Sequence, residues 1–353
     1  MLIENPVYRA QIKNALQKNR LNMDMLSHTS ILITGASGMI GSALVDFLLF
    51  INEEYKSEIQ IYALGRTKEK LELRFRSSLC KGFLHIVEAD ISKPYELTEH
   101  VDYIIHGASN ADPVMMAKFP VDTLLANVIG INTVLNIGKA TNCKRILYIS
   151  SGEMYGQADA TQSQGFVENY SGFVDYSSPR SCYPSGKRAA EVLCQSYRVQ
   201  YDVDAVIVRP CHCYGPTMTE SDSRAVSQFF RSIINNQYIL LKSATALERS
   251  HCHVIDAASA ILCVLTNGTA GNAYNIANPE SQVTVQYFAE RVAYWGKQSV
   301  HFASPNTNER LGFSPVKRAV LNSDKLKDLH WIPTINLDEG IRSTLDILRD
   351  VCR

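Results

Sequence analysis

The sequence lacks an excess of charge of either sign. Its 353 residues carry 35 basic and 35 acidic side chains, so the formal net charge is zero. Without a global electrostatic field, the chain is not expected to attract nucleic acid or an anionic membrane surface. Apolar residues make up 46% of the chain and charged residues 20%, which is typical of a soluble globular protein.

Long apolar runs are also missing. The longest apolar stretch, Ala43–Ile51, is interrupted by Asp46 and is too short to span a bilayer. Residues 1–30 mix Glu, Arg, Lys and Asn and lack the apolar core of a signal peptide. We therefore expect a cytoplasmic protein that has no membrane partner.

The nine cysteines show no paired Cys-x-x-Cys spacing, which structural zinc sites typically have. Two short runs, Cys211-His-Cys213 and His251-Cys-His253, combine possible metal ligands. In an extended strand, however, neighbouring side chains point to opposite faces, so three adjacent ligands do not converge easily. The sequence predicts reduced thiols and no metal site.

From Ser30 onward, short β-branched runs alternate with segments whose apolar spacing is near 3.6. The candidate strands are Ile31–Thr34, Ile59–Leu64, Phe83–Glu88, Tyr103–His106, Ile146–Ser150 and Ala205–Arg209. The helical segments between them are Met39–Phe50, Pro120–Ala140 and Tyr183–Tyr201. This alternation predicts an α/β fold, a doubly wound parallel sheet of the Rossmann type.

The alternation becomes irregular after Pro210. Candidate helices and strands are mixed there: Ser223–Asn235, Tyr238–Lys242, His253–Ile255, Asp256–Leu265, Ala273–Ile276 and Val283–Tyr294. We divide the chain into a polar helical extension (1–28), a sheet domain (29–210) and a smaller, mostly C-terminal α/β lobe (211–353). This lobe is expected to close over the carboxyl edge of the sheet.

A glycine-rich turn, Gly35-Ala-Ser-Gly38-Met-Ile-Gly41, joins the first strand to the first helix. Such glycines permit a tight turn and a close backbone approach to a pyrophosphate, and the helix N-terminus supplies NH groups. The turn therefore predicts a dinucleotide cofactor held by Gly35, Ser37, Gly38, Met39, Ile40 and Gly41.

The end of the second strand bears on the choice between NAD and NADP. A site that prefers NAD usually has an acidic residue there, whereas this strand ends in Gly65-Arg66. Arg66 is suited to pair with a 2′-phosphate, which favours NADP, although NAD stays open. Asp90 and Ile91, after the third strand, are expected to contact the adenine.

Tyr183 and Lys187 lie four residues apart at the start of a long amphipathic segment. On a helix they share a face, and a neighbouring cation is expected to lower the pKa of the phenol. Tyr238 and Lys242 have the same spacing, but they lie in a strand-like apolar run. Ser151 and Glu153, after the fifth strand, would present a hydroxyl and a carboxylate at the same sheet edge.

Taken together, the Thr34-to-Gly41 turn, the Ser-Ser-x-x-x-Tyr-Gly run and the Tyr-x-x-x-Lys pair resemble the extended short-chain dehydrogenase/reductase family. The resemblance covers roughly residues 30–345 and implies an enzyme that binds NAD(P) and modifies a nucleotide-linked sugar. It implies a catalytic trio of Ser151, Tyr183 and Lys187. It also implies cofactor contacts by Ala108, Asn127, Tyr183, Lys187 and Pro210. Segments Pro120–Ala140 and Tyr183–Tyr201 would form a homodimer contact.

Within that family, the segments 178–191 and 215–229 are most similar to UDP-glucuronate decarboxylases. The resemblance implies that His212, Arg224 and Arg249 bind the substrate and that Glu153 acts on a 4-keto intermediate. Decarboxylation, dehydration and epimerisation all proceed from such an intermediate.

Two residues depart from the family pattern. Gly152 replaces a Ser or Asp, which disfavours dehydration most, and His212 replaces an Asn. Because NADPH suits net reduction, a reductase acting on a nucleotide-linked keto or aldehydo sugar is an alternative. A non-catalytic NAD(P)-binding module is a further alternative, which the intact trio disfavours.

Overall fold

The computed structural model describes residues 2–159, 162, 164–242, 247–306, 313 and 316–351. The helices are α1 (Pro6–Lys18), α2 (Met23–Leu26), α3 (Met39–Tyr55), α4 (Lys68–Arg74), α5 (Pro113–Lys118), α6 (Pro120–Thr141), α7 (Cys182–Tyr201), α8 (Ala225–Ile234), α9 (Val254–Asn267), α10 (Val285–Gly296), α11 (Asp324–Lys327) and α12 (Leu337–Val351). The strands are β1 (Ser30–Thr34), β2 (Gln60–Gly65), β3 (Leu84–Glu88), β4 (Tyr103–His106), β5 (Arg145–Ile149), β6 (Ala205–Pro210), β7 (His212–Tyr214), β8 (Ile239–Leu241), β9 (Glu248–His253), β10 (Ala273–Ile276), β11 (Gln282–Thr284), β12 (Val300–Phe302) and β13 (Arg318–Ala319).

Seven strands form one parallel sheet in the order β10-β6-β5-β4-β1-β2-β3. Its helices cover both faces, as parallel sheets require. Ile31 and Ile33 pack with α3 and α9 on one face, whereas Leu32 packs with α6 and α7 on the other. The predicted doubly wound Rossmann fold is confirmed.

The smaller lobe contains β7, β9, β11 and β13 in one sheet and β8 with β12 in another. Its core is aromatic: Tyr214, Phe230 and Phe288 lie within 6.3 Å of one another, ring centre to ring centre. Strand β10 returns to the large sheet, so residues 211–353 contribute to both parts of the fold.

The prediction of a strand at His253–Ile255 is wrong at its C-terminal end. Strand β9 ends at His253, and helix α9 begins at Val254. The His253 side chain accepts a hydrogen bond from the Ile255 amide, so it caps the helix that the apolar run of residues 254–265 then forms.

The N-terminal segment is packed into the main core. Asn5 accepts hydrogen bonds from the Val7 and Tyr8 amides and so starts α1. The Tyr8 hydroxyl donates to Asp46 in α3, which also forms an ion pair with Arg74. Burial raises the pKa of the Asp46 carboxyl, and the Arg74 charge offsets part of that rise.

Helix α6 is long and apolar enough to cross a bilayer, by length and composition alone. Half of its most apolar window is buried within the protein, where it packs against α7 and the sheet. The core helix of a soluble protein has the same composition, so this property is weak evidence for a membrane span.

We expect Asp46→Ala to lower the free energy of unfolding by about 3–5 kcal/mol, because it leaves the mostly buried Arg74 guanidinium without its partner. Tyr8→Phe, which removes one hydrogen bond, should cost about 1–3 kcal/mol. Lys13→Ala is the control: it breaks an exposed ion pair with Glu54 and should cost much less than Asp46→Ala. Urea unfolding measures all three, and equal losses would contradict the buried pair's role.

Candidate active site

The predicted site residues meet at one edge of the sheet because they follow the carboxyl ends of parallel strands. In chain order, these are Gly35 after β1, Arg66 after β2, Asp90 after β3, Ala108 after β4 and Ser151 after β5, with Pro210 as the last residue of β6. Neighbouring strands of the sheet are therefore followed by the glycine turn and by the residues predicted to contact the ribose and the reacting end of the cofactor.

The glycine turn is too tight for side chains. Gly35 has a φ of +72°, and a Cβ there would lie 2.8 Å from the Ala108 backbone. A Cβ on Gly41 would overlap the Gly35 carbonyl oxygen. The turn leads directly into α3, whose first amides have no side-chain cap. This bare backbone cradle at a helix N-terminus suits a pyrophosphate.

At the ribose end, the Arg66 side chain is exposed and lies near Asp90. The Ser92 hydroxyl lowers the pKa of Asp90 by hydrogen bonding, and the charge of Arg66 lowers it further. The Glu88 carboxylate lies at the same edge of the sheet, at the end of the neighbouring strand β3. It accepts a hydrogen bond from the Lys68 amide. The residue after β2 is thus an exposed cation near the Asp90 carboxylate.

Asn127 is buried between α6 and α7. Its Oδ1 accepts a 2.9 Å hydrogen bond from the Ser109 hydroxyl, and its Nδ2 donates to the Thr123 carbonyl oxygen. A Cβ on Gly186 would lie 3.1 Å from the Asn127 Cβ, so the two helices are in close contact there. Asn127 fixes the loop after β4, and its contact with a cofactor stays a prediction.

A cavity of about 160 Å³ lies at the centre of this edge. Ser151, Glu153, Tyr183 and Lys187 all line it. Four other predicted site residues also line it: Ile40, Pro210, His212 and Arg224. The structure therefore brings the predicted catalytic group together with the cofactor turn and two of the three predicted substrate residues.

The expected lowering of the Tyr183 pKa is wrong for this structure. Burial raises the pKa of the phenol to about 12, and the Glu153 carboxylate contributes to that rise. A hydrogen bond with Ser151 lowers the pKa, but by less than burial raises it. The Lys187 ammonium lies over the Tyr183 ring, with Nζ 5.6 Å from the ring centre.

Lys187 is buried, and its Nζ donates a 2.9 Å hydrogen bond to the Ile149 carbonyl oxygen. Nζ also lies 4.9 Å from the centre of the Tyr148 ring. Burial lowers the pKa of the ammonium to about 7, whereas the charge of Glu191 raises it. Lys187 therefore titrates in the neutral range.

Glu153 has a partner that the sequence did not identify. Arg180 donates a 2.9 Å hydrogen bond to its Oε2, and both side chains are largely buried. The Ser151 hydroxyl accepts from the Glu153 amide and so fixes the turn Gly152–Tyr155. The only sequence signal for Arg180 was its place in the Ser178-Pro-Arg run before Tyr183.

The two predicted substrate arginines differ in their surroundings. Arg224 lines the cavity and is held there by the carboxylate of Asp222. Arg249 is buried, donates to the carbonyl oxygens of Glu248, Val316 and Lys317, and is not among the cavity-lining residues. Its role in substrate binding stays a prediction.

His212 lines the cavity next to His251, at a ring-centre distance of 6.0 Å. Strand pairing aligns His212 with His251 and Cys213 with Cys252, so the imidazoles and the thiols lie on opposite faces. Burial lowers the pKa of His212 well below its usual range, and the Arg249 charge lowers it further. His212 is therefore a neutral hydrogen-bonding group.

Gly152 leaves room for an apolar side chain. A Cβ on Gly152 would lie 3.1 Å from Leu321 Cδ1, and both residues line the cavity. A side chain at position 152 would therefore crowd Leu321, which would have to shift slightly. No local pattern indicated Leu321, because the contact joins distant parts of the chain.

The family model described as "NAD dependent epimerase/dehydratase family" matches residues 31–277. UDP-glucuronic acid decarboxylase 6 of Arabidopsis thaliana is 31% identical over 316 residues, covering 89% of this chain and 87% of that protein. UDP-glucuronic acid decarboxylase 1 of Xenopus tropicalis is 28% identical over 322 residues, covering 90% and 72%.

Solved structures share the fold. A dTDP-glucose 4,6-dehydratase from Streptomyces venezuelae, solved with NAD bound, has a TM-score of 0.78 at 22% identity and covers 91% of this chain and 97% of that one. UDP-glucose 4-epimerase from Thermotoga maritima, solved with UDP-glucose, has a TM-score of 0.77 at 20% identity and covers 92% and 100%.

Acid is expected to destabilise the protein through its buried histidines. Burial lowers the pKa of His251 from 6.5 to about 4, so the unfolded chain binds a proton at a pH where the folded protein does not. The stability present above pH 6.5 is lost as the pH falls towards 4. Between pH 7 and pH 5, the free energy of unfolding of His251→Gln should therefore fall by about 2 kcal/mol less than that of the wild type.

Urea unfolding at the two pH values measures this difference. His330→Gln, at an exposed position, is the control, and its free energy of unfolding should fall as much as that of the wild type. If the free energy of unfolding of His251→Gln falls as much as that of the control, the buried imidazole does not cause the loss of stability in acid.

Proposed function

Because the chain belongs to the NAD dependent epimerase/dehydratase family, and is thus an enzyme of the nucleotide-sugar epimerase/dehydratase/decarboxylase group, we propose that it oxidises a sugar hydroxyl of its substrate to a ketone and then acts on the neighbouring carbon. The observation that carries this proposal is the convergence of Ser151, Tyr183, Lys187 and Glu153 on one cavity beside the glycine turn.

Bound NAD(P) supplies the hydride acceptor and later the hydride donor. Tyr183 takes the proton of the sugar hydroxyl as the carbon–oxygen double bond forms, and Ser151 hydrogen-bonds that oxygen. Lys187 holds the ribose hydroxyls and, when charged, favours the tyrosinate. The glycine turn would hold the pyrophosphate, through Gly35, Ser37, Gly38, Met39, Ile40 and Gly41. Ala108, Asn127 and Pro210 would lie beside the cofactor, and Ile91 would lie at the adenine.

Among the family reactions, we favour decarboxylation of a nucleotide-linked uronate, the reaction in the names of the relatives. A ketone one carbon from the carbon that bears the carboxylate lets that C–C bond break, carbon dioxide leave and the electron pair pass to the enolate. Arg224 and His212 would hold the substrate. Dehydration is disfavoured because position 152 is Gly, whereas an acid is needed there to protonate the leaving hydroxyl, and Leu321 packs against this residue.

The second candidate is an NADPH-dependent reductase of a nucleotide-linked keto or aldehydo sugar. Arg66 favours it, because an exposed guanidinium at this strand end is suited to the 2′-phosphate of NADP and no acidic side chain follows β2 directly. NADP is therefore the cofactor we favour, with NAD as the alternative that an internal redox cycle would use.

We also propose that the enzyme is a homodimer. Helices α6 and α7 pack against each other and leave large apolar side chains exposed: Val121, Leu125, Val192 and Val199. An apolar surface of this kind, formed by two long helices, is typical of a contact between subunits.

Tyr183→Phe is expected to lower kcat by about 10²- to 10⁴-fold, because it removes the group that carries the proton. Turnover is measured by mass spectrometry on a panel of UDP-, CDP-, GDP- and dTDP-linked sugars. Loss of carbon dioxide, gain of two hydrogens or an unchanged mass distinguishes decarboxylase, reductase and epimerase. Tyr176→Phe, at a tyrosine that is 78% exposed, is the matched control. Full turnover by Tyr183→Phe would contradict the assignment.

Arg66→Ala tests the cofactor. If Arg66 binds a 2′-phosphate, KM for NADPH should rise about 10- to 100-fold, because a charge-assisted contact is lost, while KM for NADH changes little. Lys70→Ala removes the same charge from the exposed face of α4 and should leave both values unchanged. Stoichiometric NAD released from the denatured wild type would instead favour the internal redox cycle.

A further inference from the structure

A buried carboxylate lies directly behind the catalytic residues. Glu191, one turn after Lys187 in α7, is 7% exposed. Its Oε1 accepts hydrogen bonds from the Ser150 hydroxyl at 2.6 Å and from Arg209 Nε at 2.9 Å. Its Oε2 accepts from Arg209 Nη2 at 2.6 Å. Each carboxylate oxygen is therefore bonded, as a buried charge requires.

On one side, this ion pair reaches the end of β5. Lys187 donates to the Ile149 carbonyl oxygen, and Ser150 donates to Glu191. Ile149 and Ser150 immediately precede Ser151. Helix α7 is thus bonded to the last residue of β5 and to the residue after it. These bonds fix Ser151 relative to Tyr183, which lies on α7.

On the other side, the pair reaches the wall of the cavity. Arg209 Nη1 donates to the Tyr155 hydroxyl at 2.7 Å, and that hydroxyl donates to Asn275 Oδ1 at 2.7 Å. Asn275 Nδ2 donates to the Asn322 carbonyl oxygen, next to Leu321. A continuous buried polar chain therefore joins Ser150 to the segment that carries Leu321.

We propose that Glu191 is a positioning residue, which through its ion pair with Arg209 holds Ser150 and the Lys187 ammonium so that Ser151 and Tyr183 face the same reacting oxygen. This inference rests on the proposed function, since it assigns Glu191 a part in the reaction of that site. Glu191 touches neither substrate nor cofactor in this scheme and acts through its two neighbours.

The electrostatics around Lys187 distinguish positioning from simple support of the fold. The titratable groups that face the Lys187 ammonium are Tyr148, Tyr183, His106 and Glu191. Burial holds the pKa of His106 at about 3, so this imidazole is neutral. Glu191 is the carboxylate of the set and raises the pKa of Lys187 against the effect of burial.

The test compares the pH profile of Glu191→Gln with that of the wild type. Gln keeps the shape and the bond from Ser150 but removes the charge. We expect kcat/KM to fall at least about tenfold. We also expect the pH at which kcat/KM declines on the alkaline side to fall by about half a unit or more, because Lys187 loses a nearby opposite charge. Asp46→Asn is the matched control: it removes a charge from a buried Asp–Arg pair outside the cavity and should lower stability without moving the profile.

A folded Glu191→Gln with an unchanged pH profile and a loss of less than twofold overturns the proposal. If Glu191→Gln does not fold, Ser150→Ala decides, because it removes one hydrogen bond and leaves the ion pair intact. We then expect kcat to fall about tenfold at a melting temperature close to that of the wild type. A kcat within twofold of the wild type overturns the proposal.

Wild-type turnover on the sugar panel is measured first, so that failure of the proposed function is recognised separately. If the wild type turns over no sugar, the same variants are compared by the pH dependence of NADPH binding. The charged Lys187 is expected to hold the ribose. As the pH rises, NADPH binding by Glu191→Gln should therefore weaken at a lower pH than NADPH binding by the wild type. An identical pH dependence would overturn the inference.

Discussion

The burial of Lys187 is the constraint on which the arrangement of this site depends. An ammonium out of water needs hydrogen-bond acceptors, and among the described residues it donates to the carbonyl oxygen at the end of β5. Together with the bond from Ser150 to Glu191, this bond holds α7 at the end of β5. Because Tyr183 is one helical turn before Lys187, the same bond sets where the phenol lies relative to Ser151. The Lys–carbonyl contact therefore fixes the geometry of three functional side chains.

Much of the fold was predictable because its signals are local. Strand and helix periodicities in residues 30–210 gave the order of the elements, and the glycines at 35 and 41 could be interpreted through backbone geometry alone. Parallel pairing then brings the strand ends together, so Ser151, Tyr183 and Lys187 were expected at one edge before any contact was known. The end of the strand near His253 was misjudged because apolar residues continue across the boundary into α9.

The remaining features depend on pairings that no local pattern records. Arg180 contacts Glu153 across 27 residues of chain, and Leu321 packs against Gly152 from the far end of the sequence. The Tyr183 pKa was misjudged for a related reason. Spacing indicates that a cation is near, but whether charge or desolvation dominates depends on the burial of the phenol, which only the fold provides.

Strand β10 has a consequence for how ligands enter and leave. The chain passes from the large sheet to the small lobe after Pro210, comes back through α9 and β10, and leaves again after Ile276. Leu326, Trp331 and Ile335 pack into the main core once more before α12 joins the lobe. A hinge that opened the cleft would have to bend all of these crossings together, whereas hinges usually involve a few residues. Several segments of the chain therefore connect the two parts, rather than a single linker. A ligand of the cavity is therefore expected to enter through the cavity rim, without a hinge opening of the whole cleft.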